Sequence, residues 1–92
     1  SSELKKLERT LNSMLQYKKL PQHIEAVFIH NILKLFARLL ENYELEQKYD
    51  EIITCCNLID AKLSESVKSA ELEVQERAST TLIIIKIVFL IY

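Results

Sequence analysis

The stretch TLIIIKIVFLIY, Thr81 to Tyr92, decides how the whole sequence is read, because between Leu82 and Tyr92 only Lys86 is not apolar. Four structures would suit such a run: a membrane span, a central strand, a buried helix, or an interface. A spanning helix needs about 20 apolar residues, and Leu82–Tyr92 supplies eleven including the lysine. Its Ile and Val content suits a strand, yet no other segment offers a strand to pair with it. A helix that is apolar all round is a buried one. The run is therefore expected to be a helix enclosed by its own hairpin, by the next helical repeat and by a second subunit.

Upstream, apolar spacing marks three more helices. Leu4, Leu7, Leu11, Met14 and Leu15 form a narrow i, i+3, i+4, i+7 stripe, and Lys18–Lys19 sit where a helix C-terminus favours positive charge. Pro21 opens the second segment, where its missing N–H costs nothing. That segment carries Ile24, Val27, Phe28, Ile32, Leu35, Phe36, Leu39 and Leu40, and Ile29 with Leu33 widens the stripe beyond one face. ENYELEQK, Glu41 to Lys48, is charged and contains no breaker. The third segment buries Ile52, Ile53, Cys56, Ile59 and Leu63. Ser69 is read as the N-cap of the fourth, with Glu71 and Glu73 complementing the helix dipole and Leu72, Ala78, Leu82, Ile85 and Phe89 on one face.

The expected architecture is all-α: two antiparallel helical hairpins with helices near residues 3–17, 22–42, 46–63 and 70–92. From Glu3 to Glu46 the repeat is 43 residues, inside the roughly 40–47-residue period of HEAT and armadillo arrays. Such arrays usually need three or so units, so the spacing reads as a slice of a longer α-solenoid, with further helical pairs before Ser1. An ordinary four-helix bundle has similar lengths.

Composition removes several functions. With no glycine in 92 residues, phosphate-cradling loops, dinucleotide fingerprints and nucleophile elbows have no backbone to form on. Twelve basic and thirteen acidic residues are interspersed, leaving no basic stripe for nucleic acid. Cys55 and Cys56 are the only cysteines; being adjacent, they fit disulfide geometry only with backbone distortion. They read as reduced helix thiols, one buried and one flanking. His23 and His30 are seven apart and lack further ligands for zinc. Lys34 and Arg38 make a solvated face rather than a lipid site. Glu71, Glu73 and Glu76 suggest a carboxylate cluster, but Glu73 and Arg77 are i, i+4 partners in the favourable order and read as a structural charge pair. No nucleophile has a base at a recognisable spacing. Neither a catalytic residue, nor a metal, nor a cofactor is expected.

Two stretches carry a resemblance. SAELEVQERAS, Ser69 to Ser79, is similar to large adaptins, in which an acidic helix start runs into VQERA or LQQRA. KKLPQHIEAVFIHNILKLFARLL, Lys18 to Leu40, resembles the same proteins at Leu20, Pro21, His23, Ile24, Asn31, Lys34, Leu35, Phe36 and Ala37. Together they cover about a third of the chain, and both most resemble the delta-adaptins, the delta large subunits of the heterotetrameric adaptor protein complex 3. The resemblance implies a segment near the C-terminal end of the delta trunk, a HEAT-like α-solenoid. It further implies a non-enzymatic scaffold in a vesicle coat that sorts membrane cargo from endosomes or the trans-Golgi to lysosomes and related organelles. Implied partners are beta-type, mu-type and sigma-type adaptor subunits. Cargo tails and an Arf-class small GTPase would be met through the whole complex. The implied location is cytoplasmic, peripheral on Golgi and endosomal membranes. Lys86 matches the family's lysine, whereas Ile83, Ile84, Ile87 and Ile91 fill positions where polar residues are expected. With Phe89 they form the candidate surface for a partner or for the next repeat. The competing reading is an independent small helical interaction module, membrane-associated through its apolar run.

Overall fold

The computed structural model describes all of residues 1–92. It contains four helices and no strand: α1 (Ser2–Met14), α2 (Gln22–Leu45), α3 (Tyr49–Leu63) and α4 (Leu72–Ile91), with a single 3-10 turn, Ser66–Lys68, before α4. Helix α2 is central and packs on α1, α3 and α4, while α3 also packs on α4. The Thr80–Ile91 run is helical despite its β-branched content, because the propensity cost is a few tenths of a kcal/mol per residue and packing outweighs it. The result is an all-α, solenoid-like pair of hairpins.

Local chemistry moves several of the predicted boundaries. Ser1 Oγ accepts the Leu4 N–H at 3.1 Å and caps α1. The helix ends at Met14, not at residue 17, so Lys18 and Lys19 lie outside its last turn. Pro21 restricts Leu20 to extended backbone, and the connection is pinned where Lys62 Nζ donates to the Tyr17 carbonyl. The Tyr17 ring meets Phe28 edge-on, centroids 4.6 Å apart. At the far end α2 runs to Leu45, beyond the expected Asn42, and α3 starts at Tyr49 rather than residue 46.

The stop between α2 and α3 is made without glycine. Gln47 takes φ 58°, the Lys48 N–H reaches the Tyr43 carbonyl at 2.8 Å, and the Gln47 N–H reaches Glu44 at 3.1 Å. This 6→1 and 5→2 pair is a Schellman closure, with a glutamine in the left-handed region that glycine normally fills. At α4 the expected cap is corrected: Glu71 is the N-cap residue, and Ser69 Oγ instead accepts the Glu71 N–H at 3.1 Å, one step ahead of the helix. The intervening turn is tied to α2 by Ser66 Oγ donating to Glu25 Oε2 at 2.9 Å.

Eighteen buried hydrophobic residues form one cluster drawn from all four helices, so the two hairpins share a core. Their burial repeats: Leu4, Leu7 and Leu11 of α1 stand 48 residues before Ile52, Cys55 and Ile59 of α3. In the second helices Ile29, Ile32, Phe36 and Leu39 stand 49 residues before Ala78, Thr81, Ile85 and Val88. The repeat is thus longer than the 43 residues read from the sequence. The molecule is a slab of 39 × 26 × 16 Å. Measured over Cα atoms, that thickness holds two layers of helices with axes about 8–10 Å apart and no third layer, so every helix keeps a solvent side.

Candidate interaction surface

Within α4 the buried stripe is Val74, Ala78, Thr81, Ile85 and Val88. It keeps Ala78 and Ile85 from the predicted face, but Leu72 and Phe89 are exposed and Leu82 is half-buried. A helix advances 100° per residue, so Ile83, Ile87 and Leu90 occupy the side opposite this stripe. They are 59%, 54% and 83% exposed. On the same side nearer the N-terminus lie Glu76 and Thr80. The outward face of α4 is therefore polar for its first half and aliphatic for its second. Within this chain the apolar run is buried on one side only, the side against its own hairpin and α2.

The predicted surface residues do not act as one patch. Ile83, Ile87 and Ile91 are exposed on or beside the outward face, whereas Ile84 is half-buried. Phe89 flanks α3 and lines a cleft there with Cys56, Asn57, Asp60, Ile85 and Lys86. Leu90 was not among the predicted residues, although its i, i+3 and i+7 spacing from Ile87 and Ile83 was legible. Glu73 Oε1 and Arg77 Nη2 lie 3.9 Å apart, both well exposed, where such pairs contribute little.

Polar side chains bracket α1 against α2. Arg38 Nη2 donates to Glu3 Oε1 at 2.9 Å, and the Tyr43 hydroxyl donates to Glu8 Oε2 at 2.7 Å. Burial, followed by the Glu8 acceptor, pushes the Tyr43 phenol far above its ordinary pKa. Burial and then the Glu25 charge also raise Tyr17, whose ring carries the Lys62 ammonium 4.1 Å from its centroid. At the other end of α4, Tyr92 stacks on Tyr49 at 6.0 Å and its hydroxyl donates to Glu44. These contacts fix α4 parallel to α2, with Tyr92 level with the end of α2.

Both cysteines are buried, correcting the expectation that one flanks the helix. Adjacent residues on a helix face about 100° apart, and α3 has neighbours on both sides. Cys55 shares a cleft with Glu8, Leu11 and Tyr43, and Cys56 faces Ile85 and Phe89. Burial raises the Cys55 thiol to about 12, with Cys56 and Glu8 adding to the effect, and burial raises Cys56 as well. Thiols held protonated are poor nucleophiles. His23 and His30 are exposed along α2, and no group of three or more His, Cys, Asp or Glu side chains is placed to hold a metal ion. No helix is long and apolar enough to cross a membrane.

A thin helical slab with a shared core, buried thiols and an aliphatic outward stripe belongs to the all-α, solenoid-like class. Within that class the chain is similar to AP-3 complex subunit delta-1 of Bos taurus, 39% identical over 88 residues that make up 94% of this chain. The chain is delta-adaptin-like over nearly its whole length, well beyond the two stretches that first showed the resemblance. The chain spans 7% of the length of that relative. No family model matches the chain, and no solved structure does.

Proposed function

We propose that this chain is a non-enzymatic scaffold segment of a vesicle-coat adaptor complex, from the C-terminal part of a delta-type trunk. The observation that carries the reading is the 39% identity sustained over 94% of the chain. The joined hairpins support it, since a solenoid slice needs stacked helical pairs with a continuous core. In this reading the segment assembles with beta-type, mu-type and sigma-type subunits, and reaches cargo tails and an Arf-class GTPase through the whole complex. The complex would sort cargo from endosomes or the trans-Golgi to lysosomes and related organelles. It would be cytoplasmic and peripheral on those membranes.

Co-expression of the chain with beta-type, mu-type and sigma-type adaptor subunits, followed by size-exclusion chromatography, tests this. Co-elution with at least one subunit is expected; separate elution from every one of them would count against the scaffold role. The second reading, an independent helical interaction module, draws on the closure of the core within these 92 residues. It predicts a cooperative unfolding transition for the chain alone, with no co-elution.

A further inference from the structure

The 49-residue register between α2 and α4 pairs Ile83, Ile87 and Leu90 with Lys34, Arg38 and Glu41, all exposed. The two rows are level, because Tyr92 reaches Glu44 near the end of α2 while His30 and Leu33 border Glu73, Arg77 and Thr81 near the start of α4. One outward surface thus carries an aliphatic row beside a charged row. At these three positions the outward side of α2 is charged, with exposed Val27 and Leu45 only toward its two ends, whereas that of α4 is the aliphatic surface a protein contact selects.

We propose that this surface pairs with the same surface of a second copy, α4 running antiparallel to its symmetry mate about Ile87. The charge order is the reason for choosing a second copy. A two-fold axis in the plane of contact, crossing both helices at Ile87, is an isologous arrangement. It places Ile83 against the partner's Leu90, and Ile87 against the partner's Ile87. The same axis places Lys34 opposite the partner's Glu41, and Glu41 opposite the partner's Lys34. The charged row reads plus, plus, minus, and reversal brings opposite signs together at both ends. Arg38, nearest the axis, is already held to Glu3 of its own hairpin at 2.9 Å. Glu76 and Thr80, the polar start of the outward face, stay outside the overlap. A lipid surface fits less well, because Glu41 and Glu76 lie among the few basic residues. Such pairing does not depend on the adaptor reading.

Sedimentation equilibrium of the 92-residue chain is the test. The chain is expected to form dimers at micromolar concentrations, and Ile87→Asp to leave monomers with unchanged helical circular dichroism. Lys34→Glu and Glu41→Lys lie on exposed positions and leave the core intact, so they report even if Ile87→Asp misfolds. Each alone sets like charges against each other twice across the axis and should weaken dimerisation about tenfold. The double variant Lys34→Glu with Glu41→Lys restores both pairs and should recover the original constant within about twofold. A monomer at all concentrations would overturn the pairing and leave the adaptor reading untouched. Association without rescue in the double variant would also overturn it, showing apolar aggregation with no fixed register.

Discussion

Along the seam between α1 and α2, two polar bonds flank the leucines, Glu3 with Arg38 and Glu8 with Tyr43. Between α3 and α4 no side-chain hydrogen bond crosses, and the seam is Cys56 against Ile85 and Phe89. The second helices bury equivalent positions 49 residues apart, so the same packing problem is met with different chemistry. Hydrogen bonds are directional and fix how far one helix slides past another, whereas apolar burial is non-directional. The second hairpin takes its register from its ends instead: Ser66 on Glu25 at one end and Tyr92 on Glu44 and Tyr49 at the other.

The comparison breaks most visibly in the core. Phe36→Ala should cost about 3–5 kcal/mol and Ile85→Ala about 2–4, read by urea unfolding; equal costs would show that the two hairpins are packed alike. In a chain this size either is a large share of total stability. Next comes alkaline pH. The folded chain holds the Cys55 proton up to about 12, while the unfolded chain releases it near pH 8.5. The contribution of Cys55 is therefore intact below about pH 8.5 and is lost as pH rises, by roughly 1–2 kcal/mol at pH 10, with the buried Cys56 and Tyr43 shifting in the same direction. Cys55→Ala should flatten that decline, and an unchanged pH profile would remove Cys55 as its source.

Smaller changes sharpen the contrast. Tyr43→Phe deletes the partly buried bond to Glu8 and should cost about 1–2 kcal/mol. Arg38→Ala, on an exposed pair, should cost no more than about 0.5 kcal/mol. If both fall below detection, polar bracketing is not what distinguishes the first hairpin. Gln47→Gly relieves a left-handed residue at the joint and should stabilise by about 0.5–1 kcal/mol, raising the midpoint of thermal unfolding by a few degrees.

The helix count and order were legible because apolar spacing of three and four recurs from Leu4 onward. The joints were not. ENYELEQK offers no breaker, and the turn there depends on Gln47 accepting a backbone geometry its side chain disfavours, which no residue type announces. Ser69 has the chemistry of a cap and bonds a backbone N–H, but the chain turns once more before α4 begins. Apolarity of Leu82–Tyr92 promised burial without saying on which side. The 16 Å thickness of the slab leaves one side outward, and Leu90 joined the surface only when the buried stripe had been located. Tyr43 with Glu8 was invisible for a different reason: the partners are 35 residues apart, and pattern reading sees only near neighbours.

The two buried thiols give the molecule an internal clock. Cys55 looks toward α1 and α2, and Cys56 toward α4, so an alkylating reagent gains each sulfur only when a different pair of helices parts. Labelling rates at the two neighbouring sites, read separately by mass spectrometry, would time the opening of each seam in the unmodified chain. Equal rates would mean that the hairpins come apart in a single event, and faster labelling at Cys56 would mean that α4 lifts away first.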